Sequence, residues 1–400
     1  MPVAIAEVAG AAYGDQPRTF RSIELFSGAG GLALGTHLAG FHHEVLVEWD
    51  ADAMATLESN ARHDAVDGLR EWRVERADVR AFDYRPYEGV DLVAGGPPCQ
   101  PFSIGGKHRG ADDSRNMIPE FVRAIRELAP PVFVMENVRG LLRPGFRPYF
   151  EYVVESLRQP LVVRREDESW TEHRDRLADR HSLPGLRYDV RFEVLNAADY
   201  GVPQSRHRVF VVGFRSDLAV PFRFPDATHS LDALLHDQWV SGTYWERHGV
   251  PRPEAPPESV ARRVGRLARA RPFGEAWRTV RDAIGDLPEP QATRDGPVAN
   301  HRLQPGARAY VGHTGSDHDL PAKTLKAGDH GVPGGENMLR QRNGRVRYFT
   351  VREAARIQTF PDSWVFRGAW SEAMRQIGNA VPVQLAQAIG RSVRIQLRNA

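Results

Sequence analysis

Short apolar runs alternate with stretches of helical periodicity between residues 18 and 215. This alternation is typical of strands and helices that follow one another in a mostly parallel sheet. One helical stretch covers residues 119–128, where Phe121, Ile125 and Leu128 recur at helical spacing. We therefore predict an α/β fold with a doubly wound, mostly parallel sheet. The apolar runs predict strands at residues 22–26, 44–47, 73–77, 90–94, 132–135, 191–195 and 209–213.

The pattern changes after residue 215. Residues 216–344 are rich in proline and glycine without a sustained period, which predicts a second, smaller domain of irregular build, with helices expected at 259–269 and 277–284. A polar stretch at 164–187 is either a surface insertion or a helical hairpin. Regular structure returns at 350–358 and in an amphipathic helix at 383–397. The predicted organisation is a flexible tail, an α/β domain, an irregular domain and a C-terminal segment, at residues 1–17, 18–215, 216–344 and 345–400.

Composition narrows the class of protein only slightly. Hydrophobic residues make up 41% of the chain and charged residues 26%, as in an ordinary globular protein. No apolar run approaches the roughly 18 residues that a membrane span needs, and the first residues lack the pattern of a secretory signal. The single cysteine excludes an intramolecular disulfide, which fits a reducing cytoplasm. A net charge of +2 neither indicates nor excludes a nucleic-acid partner.

That single cysteine, Cys99, follows a predicted buried strand in the sequence Ala94-Gly95-Gly96-Pro97-Pro98-Cys99-Gln100. The two glycines end the strand, and the two prolines stiffen the loop that follows. Ligands and chemistry collect at this edge of open α/β sheets. Taken alone, the cysteine is either an inert buried thiol or a nucleophile.

A glycine-rich loop follows the first predicted strand, with the sequence Phe26-Ser27-Gly28-Ala29-Gly30-Gly31. It fits a nucleotide-binding turn, and Glu48 lies 20 residues after Gly28, where an acid reaches ribose hydroxyls. The loop alone does not distinguish NAD from S-adenosylmethionine. Trp49 is either a stacking platform for adenine or a core tryptophan. Asp78 is either an acceptor for the adenine amino group or a helix cap.

A second group of candidates lies further along the chain. Glu136 follows four apolar residues at the end of a predicted strand, so partial burial would raise its pKa and suit it to proton transfer. Alternation in Gln204-Ser205-Arg206-His207-Arg208 sends Arg206 and Arg208 to one face, where they would suit an anionic, planar substrate or would simply be surface charges.

Together these motifs resemble the cytosine-C5 DNA methyltransferases of bacterial restriction-modification systems. The ordered motifs are Phe26 to Gly31, Gly96 to Gln100, Glu136-Asn137-Val138, Gln204 to Arg208, and Gly378-Asn379-Ala380-Val381-Pro382, and residues 350–361 look like the family's penultimate motif. The resemblance covers about residues 18–215 and 345–390. It implies a Rossmann-like methyltransferase fold for 18–215, a target-recognition domain at 216–344, and a C-terminal segment that folds back onto the catalytic domain.

The resemblance also implies a mechanism. Cys99 attacks C6 of a flipped-out cytosine as a thiolate, and S-adenosylmethionine supplies the methyl group for C5. Glu136 contacts N3 and the exocyclic amine of the base, and Arg208 contacts its carbonyl oxygen. Arg206 supports the thiol and a nearby phosphate, and Asn137 orders the loop that carries Cys99.

The same resemblance implies the binding residues. The cofactor is S-adenosylmethionine, which leaves as S-adenosylhomocysteine, and no metal is required. The cofactor site is formed by Phe26, Gly28, Ala29, Gly30, Gly31, Glu48, Trp49, Asp78, Val79, Pro98, Ile118, Asn379 and Val381. Residues 103–115 are expected to close as a lid over the flipped base. The DNA-contacting side chains are Gln100, Ser103, Lys107, Arg109, Arg115 and Gln204.

Other charged groups leave alternatives open. Arg262, Arg263, Arg266, Arg269 and Arg271 form either a phosphate-contacting cluster or a solvated helix face. Lys323 and Lys326 precede the return to the catalytic domain and could face DNA. His313, Asp317, His318 and Asp319 fit no common metal-site spacing.

The expected partner is double-stranded DNA, with a restriction endonuclease as a genetic rather than physical partner and a monomer as the expected state. The nearest rival is the same chemistry on tRNA, but the large second domain favours duplex DNA. An intact Cys99, Glu136 and Arg208 argue against a silent DNA-binding regulator. An NAD-dependent dehydrogenase would leave the Cys99 loop unexplained.

Overall fold

The computed structural model describes residues 18–98, 116–179, 185–269, 272–292, 296–311, 314–327, 335–341 and 343–400. The expected tail at 1–17 lies outside the described residues, as does the expected lid at 103–115.

A seven-stranded sheet, counted over the described residues, forms the centre of the molecule in the order β3-β2-β1-β4-β5-β7-β6. Neighbouring strands from β3 to β5 are parallel, whereas β7 runs antiparallel to both β5 and β6. Apolar side chains cover both faces of the central strands, which explains their continuous apolar runs. The strands are β1 (Phe20–Leu25), β2 (Phe41–Glu48), β3 (Val74–Arg76), β4 (Leu92–Gly95), β5 (Val132–Val138), β6 (Tyr188–Asn196) and β7 (His207–Arg215).

Helices cover both faces of this sheet and continue into the second half of the chain. Those before residue 216 are α1 (Gly31–Leu38), α2 (Ala51–Arg62), α3 (Ile118–Leu128), α4 (Arg147–Arg158) and α5 (Trp170–Asp179). Those after it are α6 (Leu231–Leu235), α7 (Thr243–His248), α8 (Glu258–Leu267), α9 (Val280–Ile284), α10 (Val351–Ile357), α11 (Trp370–Asn379) and α12 (Val383–Arg398). Two short strand pairs lie in the second half of the chain, namely β8 (His229–Ser230) with β9 (Glu275–Ala276) and β10 (Met338–Arg340) with β11 (Val346–Tyr348).

The predicted fold class is confirmed. All seven predicted strands are present, and most extend one to three residues beyond the predicted ends. The charged insertion holds one helix in its described part, α5, rather than a pair. This helix packs on α4 through His173, whose Nδ1 lies 3.0 Å from the Tyr152 hydroxyl.

The strand order reverses between β1 and β4, which are direct neighbours. At such a point the loops that leave the two strands diverge to opposite faces and open a crevice. The loop after β1 carries the glycines, and the loop after β4 leads to Cys99. The sheet thus brings the two main sequence motifs to one edge.

The C-terminal part of the chain folds back onto this sheet. Helix α12 packs against α1, and Gly35 lies so close that an added Cβ would overlap Ala386. The chain leaves the central sheet near residue 228 and returns to it near residue 322. Both points are bonded to the same turn, which lies between β6 and β7. The Thr228 N–H donates to the Asp199 carbonyl at 2.9 Å, and the Ala322 N–H donates to the Pro203 carbonyl at 2.9 Å.

In the part of the chain that the structure describes, no helix has both the length and the apolar character needed to cross a membrane.

Candidate active site

The loop after β1 is built around unusual backbone angles. Phe26 has φ 57°, Gly28 φ 53° and Gly30 φ 85°, and only glycine adopts such angles freely. A Cβ on Gly28 would meet nothing within 4 Å, so this part of the loop borders open space. A Cβ on Gly30 would lie 2.7 Å from Leu57, and one on Gly31 would overlap the Val381 carbonyl oxygen. Gly28 therefore leaves room for a ligand, whereas Gly30 and Gly31 are required by packing.

Glu48 ties this loop to the end of β2. Its Oε2 accepts a hydrogen bond from the Gly28 N–H at 2.6 Å, and its Oε1 accepts from the N–H groups of Trp49 and Asp50 at 2.8 Å. Trp49 is 63% exposed, so the interpretation as a core tryptophan is wrong. An exposed indole beside a carboxylate and an open glycine loop is suited to stack on a planar ligand.

Asp78 lies two residues after β3 and caps a short 3-10 turn. Its side chain accepts from the Arg80 N–H at 3.0 Å, and the Arg80 guanidinium lies across both carboxylate oxygens. The hydrogen bonds from Arg80 hold the pKa of this carboxyl below its usual range. The cap interpretation is therefore confirmed, and the contact with an adenine amino group stays a prediction.

The remaining cofactor candidates lie around the same crevice. Val79 and Ile118 are buried, and the half-buried Phe26 packs against the same apolar cluster. Ala29 is buried within the glycine loop, and Pro98 is exposed at the end of the loop after β4. At the end of α11, Asn379 is exposed, while Val381 is buried against Gly31.

Glu136 and Arg208 form an ion pair at the ends of β5 and β7. Arg208 Nε lies 2.8 Å from Glu136 Oε1, and the two side chains are 12% and 10% exposed. A Cβ on Gly96 would lie 3.2 Å from Glu136 Oε2, so the carboxylate borders the loop that leads to Cys99. Burial raises the pKa of Glu136, while the charges of Arg208 and Arg206 oppose this shift. A carboxyl whose pKa is raised by burial and lowered by two arginines is suited to hold or give a proton at a bound nucleobase.

Asn137 connects the same two loops. Its Nδ2 donates to the Pro97 carbonyl at 3.0 Å, and its Oδ1 accepts from the Val138 N–H at 2.8 Å. These bonds fix the backbone two residues before Cys99 to the end of β5. Cys99 itself lies outside the described residues, as do the DNA-contact candidates Gln100, Ser103, Lys107, Arg109 and Arg115.

Two expectations from the Gln204 to Arg208 motif need correction. Arg206 is fully buried, so it contacts no phosphate in this conformation. Its guanidinium instead donates to the carbonyl oxygens of Leu325, Gly378 and Ala380. Gln204 is also fully buried and bonds to Leu325 and Gln358, so it is not placed where DNA could reach it. Both side chains are covered because residues 321–327 lie across them.

Gln358 and Arg80 were missed as individual residues by the sequence analysis. Gln358 lies in the penultimate motif, and its side-chain amide lies at the centre of the contact between Gln204 and the end of α11. Arg80 stands two residues after Asp78. This short spacing was the only sequence signal for the contact between the Arg80 guanidinium and the Asp78 carboxylate.

The charged candidate residues of the predicted second domain, residues 216–344, differ in their surroundings. Arg262 and Arg266 are exposed on α8, Arg263 pairs with Asp232, and Arg271 lies outside the described residues. Asp317 pairs with Arg340 and Asp319 with Arg281, while His313 lies outside the described residues. Over the described ranges, no three histidine or acidic side chains lie close enough together to hold a metal ion.

Comparison with known proteins gives the family. The model of the family described as C-5 cytosine-specific DNA methylase matches residues 20–160 and 180–394. The chain is 34% identical to type II methyltransferase M.Eco47II of Escherichia coli over 377 residues, 93% of this chain and 78% of that protein. It is also 34% identical to type II methyltransferase M.PspPI of a Psychrobacter strain over 391 residues, 96% of this chain and 80% of that protein.

A solved structure supports the fold. It is that of an Escherichia coli prophage-encoded protein described as a DNA modification methyltransferase, with a TM-score of 0.57 and 21% identity, over 95% of this chain and 99% of that one. At this identity the likeness concerns the fold alone. With the family model matching both parts of the chain, the protein belongs to the C-5 cytosine-specific DNA methylase family.

Proposed function

We propose that this chain methylates C5 of a cytosine in double-stranded DNA with S-adenosylmethionine, as the modification enzyme of a type II restriction-modification system. The observation that carries the proposal is the buried Glu136–Arg208 pair beside the loop that leads to Cys99, across the crevice from an open glycine loop. The relatives named type II methyltransferases support the restriction-modification role.

The crevice fits S-adenosylmethionine. Gly28 leaves open space, Glu48 offers carboxylate oxygens for ribose hydroxyls, and the exposed Trp49 offers an indole face for adenine. Asn379, exposed at the end of α11, would contact the methionine end together with Pro98 and Val381. When bound, the cofactor supplies a methyl group on a positively charged sulfur.

The chain's own residues would prepare the base. The Cys99 thiolate adds to C6 and forms an S–C6 bond, which raises the electron density at C5. Glu136, with its raised pKa, holds a proton at N3, so that the charge of the attacked ring is neutralised. Arg208 donates to the carbonyl oxygen of the base and fixes the orientation of Glu136. Once C5 has taken the methyl group that the bound cofactor would supply, which would leave S-adenosylhomocysteine, loss of the C5 proton to a base would break the S–C6 bond, expel the thiolate and restore the aromatic ring.

The target base lies inside a duplex and has to be flipped into this pocket. Ser103, Lys107, Arg109 and Arg115 are the candidates to close over the base and contact phosphates. Lys323 and Lys326 are exposed on the chain that leaves the recognition region, and Lys326 pairs with Glu336 at 2.7 Å. Both are suited to contact the DNA backbone, and Lys326 would exchange Glu336 for a phosphate.

Bisulfite sequencing of a plasmid from cells that express the chain tests the proposal, with Cys99→Ser as the control. We expect protected cytosines in one short sequence context that disappear in the variant. Unmethylated plasmid from cells with well-expressed, cofactor-binding protein would contradict the proposal. The same assay on total tRNA would then test the RNA alternative.

A further inference from the structure

Three segments that are far apart in sequence meet at the Arg206 guanidinium. One terminal nitrogen donates to the Leu325 carbonyl at 2.8 Å, and the other donates to the carbonyls of Gly378 at 2.7 Å and Ala380 at 3.1 Å. The side chain is fully buried. Burial disfavours the charged guanidinium and lowers its pKa well below its usual value. The three carbonyl oxygens provide acceptors for its two terminal nitrogens.

The first of these segments is the chain that leaves the proposed recognition region. Residues 321–327 lie along the residues just before β7, where the Ser205 N–H donates to the Ala322 carbonyl at 2.9 Å and the Thr324 hydroxyl donates to the Ser205 carbonyl at 2.8 Å. Ala322 and Leu325 point inward, whereas Lys323 and Lys326 are exposed. On the outside, Lys323 donates to the Thr314 hydroxyl at 3.0 Å and Lys326 pairs with Glu336 at 2.7 Å. On the inside, the segment presents the Leu325 carbonyl to Arg206.

The second segment is the end of α11, which borders the proposed cofactor site. Gly378 packs so closely on the backbone of Lys326 and Ala327 that an added Cβ would overlap it. Val381, three residues further on, packs on Gly31 of the glycine loop. A displacement of residues 325–327 therefore reaches the glycine loop through Gly378 to Val381.

A pair of buried amides runs parallel to the arginine. Gln204 accepts from the Leu325 N–H at 3.0 Å and donates to Gln358 at 3.0 Å. Gln358 in turn donates to the carbonyls of Ile377 at 2.7 Å and Ala380 at 3.1 Å. The recognition-region segment and the cofactor-side segment are thus joined by two sets of hydrogen bonds that meet at Leu325 and at the Ala380 carbonyl.

We propose that Arg206 is a positioning residue that couples the binding of DNA to the binding of the cofactor. The inference rests on the proposed function, in which residues 216–344 bind DNA and Asn379 to Val381 border the cofactor. The planar guanidinium holds its acceptors in a rigid geometry. Movement of the Leu325 carbonyl when Lys323 and Lys326 engage DNA therefore has to move Gly378 and Ala380 or break bonds to a buried charge.

Coupling is measured as a ratio of two dissociation constants. S-adenosylhomocysteine is titrated into the purified full-length chain, alone and with a duplex that contains the sequence methylated in the plasmid assay. In the unaltered protein we expect about tenfold tighter binding with DNA, within the range usual for coupled sites. In Arg206→Met we expect this ratio to fall below about twofold.

Arg352→Met is the matched control. Arg352 is also fully buried and also donates to three carbonyls, those of Ala299, Pro361 and Trp364. Its loss removes a comparable set of bonds without touching residues 325 or 378–380. We expect the control to lose stability and to keep the coupling ratio.

Two further variants keep the test decisive if Arg206→Met does not fold. Gly378→Ala pushes against residues 326–327 and leaves the arginine in place, and Thr324→Val removes one bond from the half-buried edge of the segment. Both variants should lower the ratio.

If the unaltered chain methylates DNA but shows no coupling, or if folded variants keep its ratio, the inference is wrong. If the unaltered chain methylates no DNA, the proposed function fails instead.

Discussion

The Nε atom of Arg208 lies 2.8 Å from Oε1 of Glu136, and this ion pair joins the last part of β5 to the first part of β7. The two strands are antiparallel, so the start of β7 lies beside the end of β5. In this register Arg208 lies opposite Val138. An acid at a strand end and an arginine at a strand start are thereby brought to the loop that leads to Cys99.

Glu136→Gln should abolish most of the methylation activity. The amide cannot hold a proton at the base, and we expect the single-turnover rate to fall by a factor of about 10² to 10⁴. S-adenosylhomocysteine binding, measured by calorimetry, should change little. Glu353→Gln removes a carboxylate that pairs with Arg347 and is 2% exposed, and it should lower stability without removing the chemistry. Equal rate losses in both variants would contradict the role of Glu136.

Trp49→Ala should weaken cofactor binding without destabilising the fold. The indole is 63% exposed, so its removal leaves no cavity, and we expect the free energy of unfolding to change by less than about 0.5 kcal/mol. Lost stacking on adenine should raise the dissociation constant of S-adenosylhomocysteine about tenfold, or about 1.4 kcal/mol. Phe273→Ala, at a side chain that is 74% exposed, is the control and should change neither quantity.

Gly28→Ala and Gly31→Ala should have different effects, although both glycines lie in one loop. Gly28 has φ 53° and open space at its Cβ position, so alanine should cost about 1–2 kcal/mol of stability and narrow the cofactor site. At Gly31 the new methyl group overlaps the Val381 carbonyl, so α1 and the C-terminal segment have to separate. We expect the larger loss of stability for Gly31→Ala, measured by denaturant unfolding. The reverse order would contradict the packing described here.

The buried His43 should make stability depend on pH. Its ring lies between the Ser22 hydroxyl at 3.0 Å and the Ala33 carbonyl at 2.9 Å, and burial lowers its pKa to about 3. The unfolded chain binds a proton at pH values below about 6.5, where the folded chain does not, so stability falls as the pH decreases from 6.5 toward 3.

Between pH 7.5 and pH 5.5 the titration of His43 should lower the free energy of unfolding by about 1.4 kcal/mol. Urea unfolding of the original chain and of His43→Gln at both pH values measures it. The stability difference between the two proteins should shrink by this amount at the lower pH. A difference that stays constant would show that His43 does not titrate on unfolding.

The sheet was predictable because its central strands are buried on both faces. Continuous apolar runs such as Val132 to Met135 have few alternatives to a central strand, and their order along the chain indicated a parallel sheet. The motifs at the strand ends then identified the crevice. The strand ends were less predictable, since His207 and Arg208 extend β7 into its polar motif.

Gln204 and Arg206 were misinterpreted for a physical reason. Alternation in sequence gives the face to which a side chain points, but not what covers that face. The cover is formed by Leu325, 119 residues after Arg206, and by the end of α11. For Trp49 and Asp78 the sequence left two interpretations open, because exposure and capping are set by the surrounding loops.

The anchoring of Thr228 on Asp199 and of Ala322 on Pro203 has a consequence for how target preference can change. The two junctions lie within five residues on one turn, so the intervening chain forms a large loop whose ends are already together. Within this loop, α9 packs in the same buried cluster as Ala29 and Ala354, so part of the loop belongs to the core. If residues 216–344 bind DNA as proposed, we expect a change of target preference to be confined to the part of the loop outside that cluster, with α9 kept.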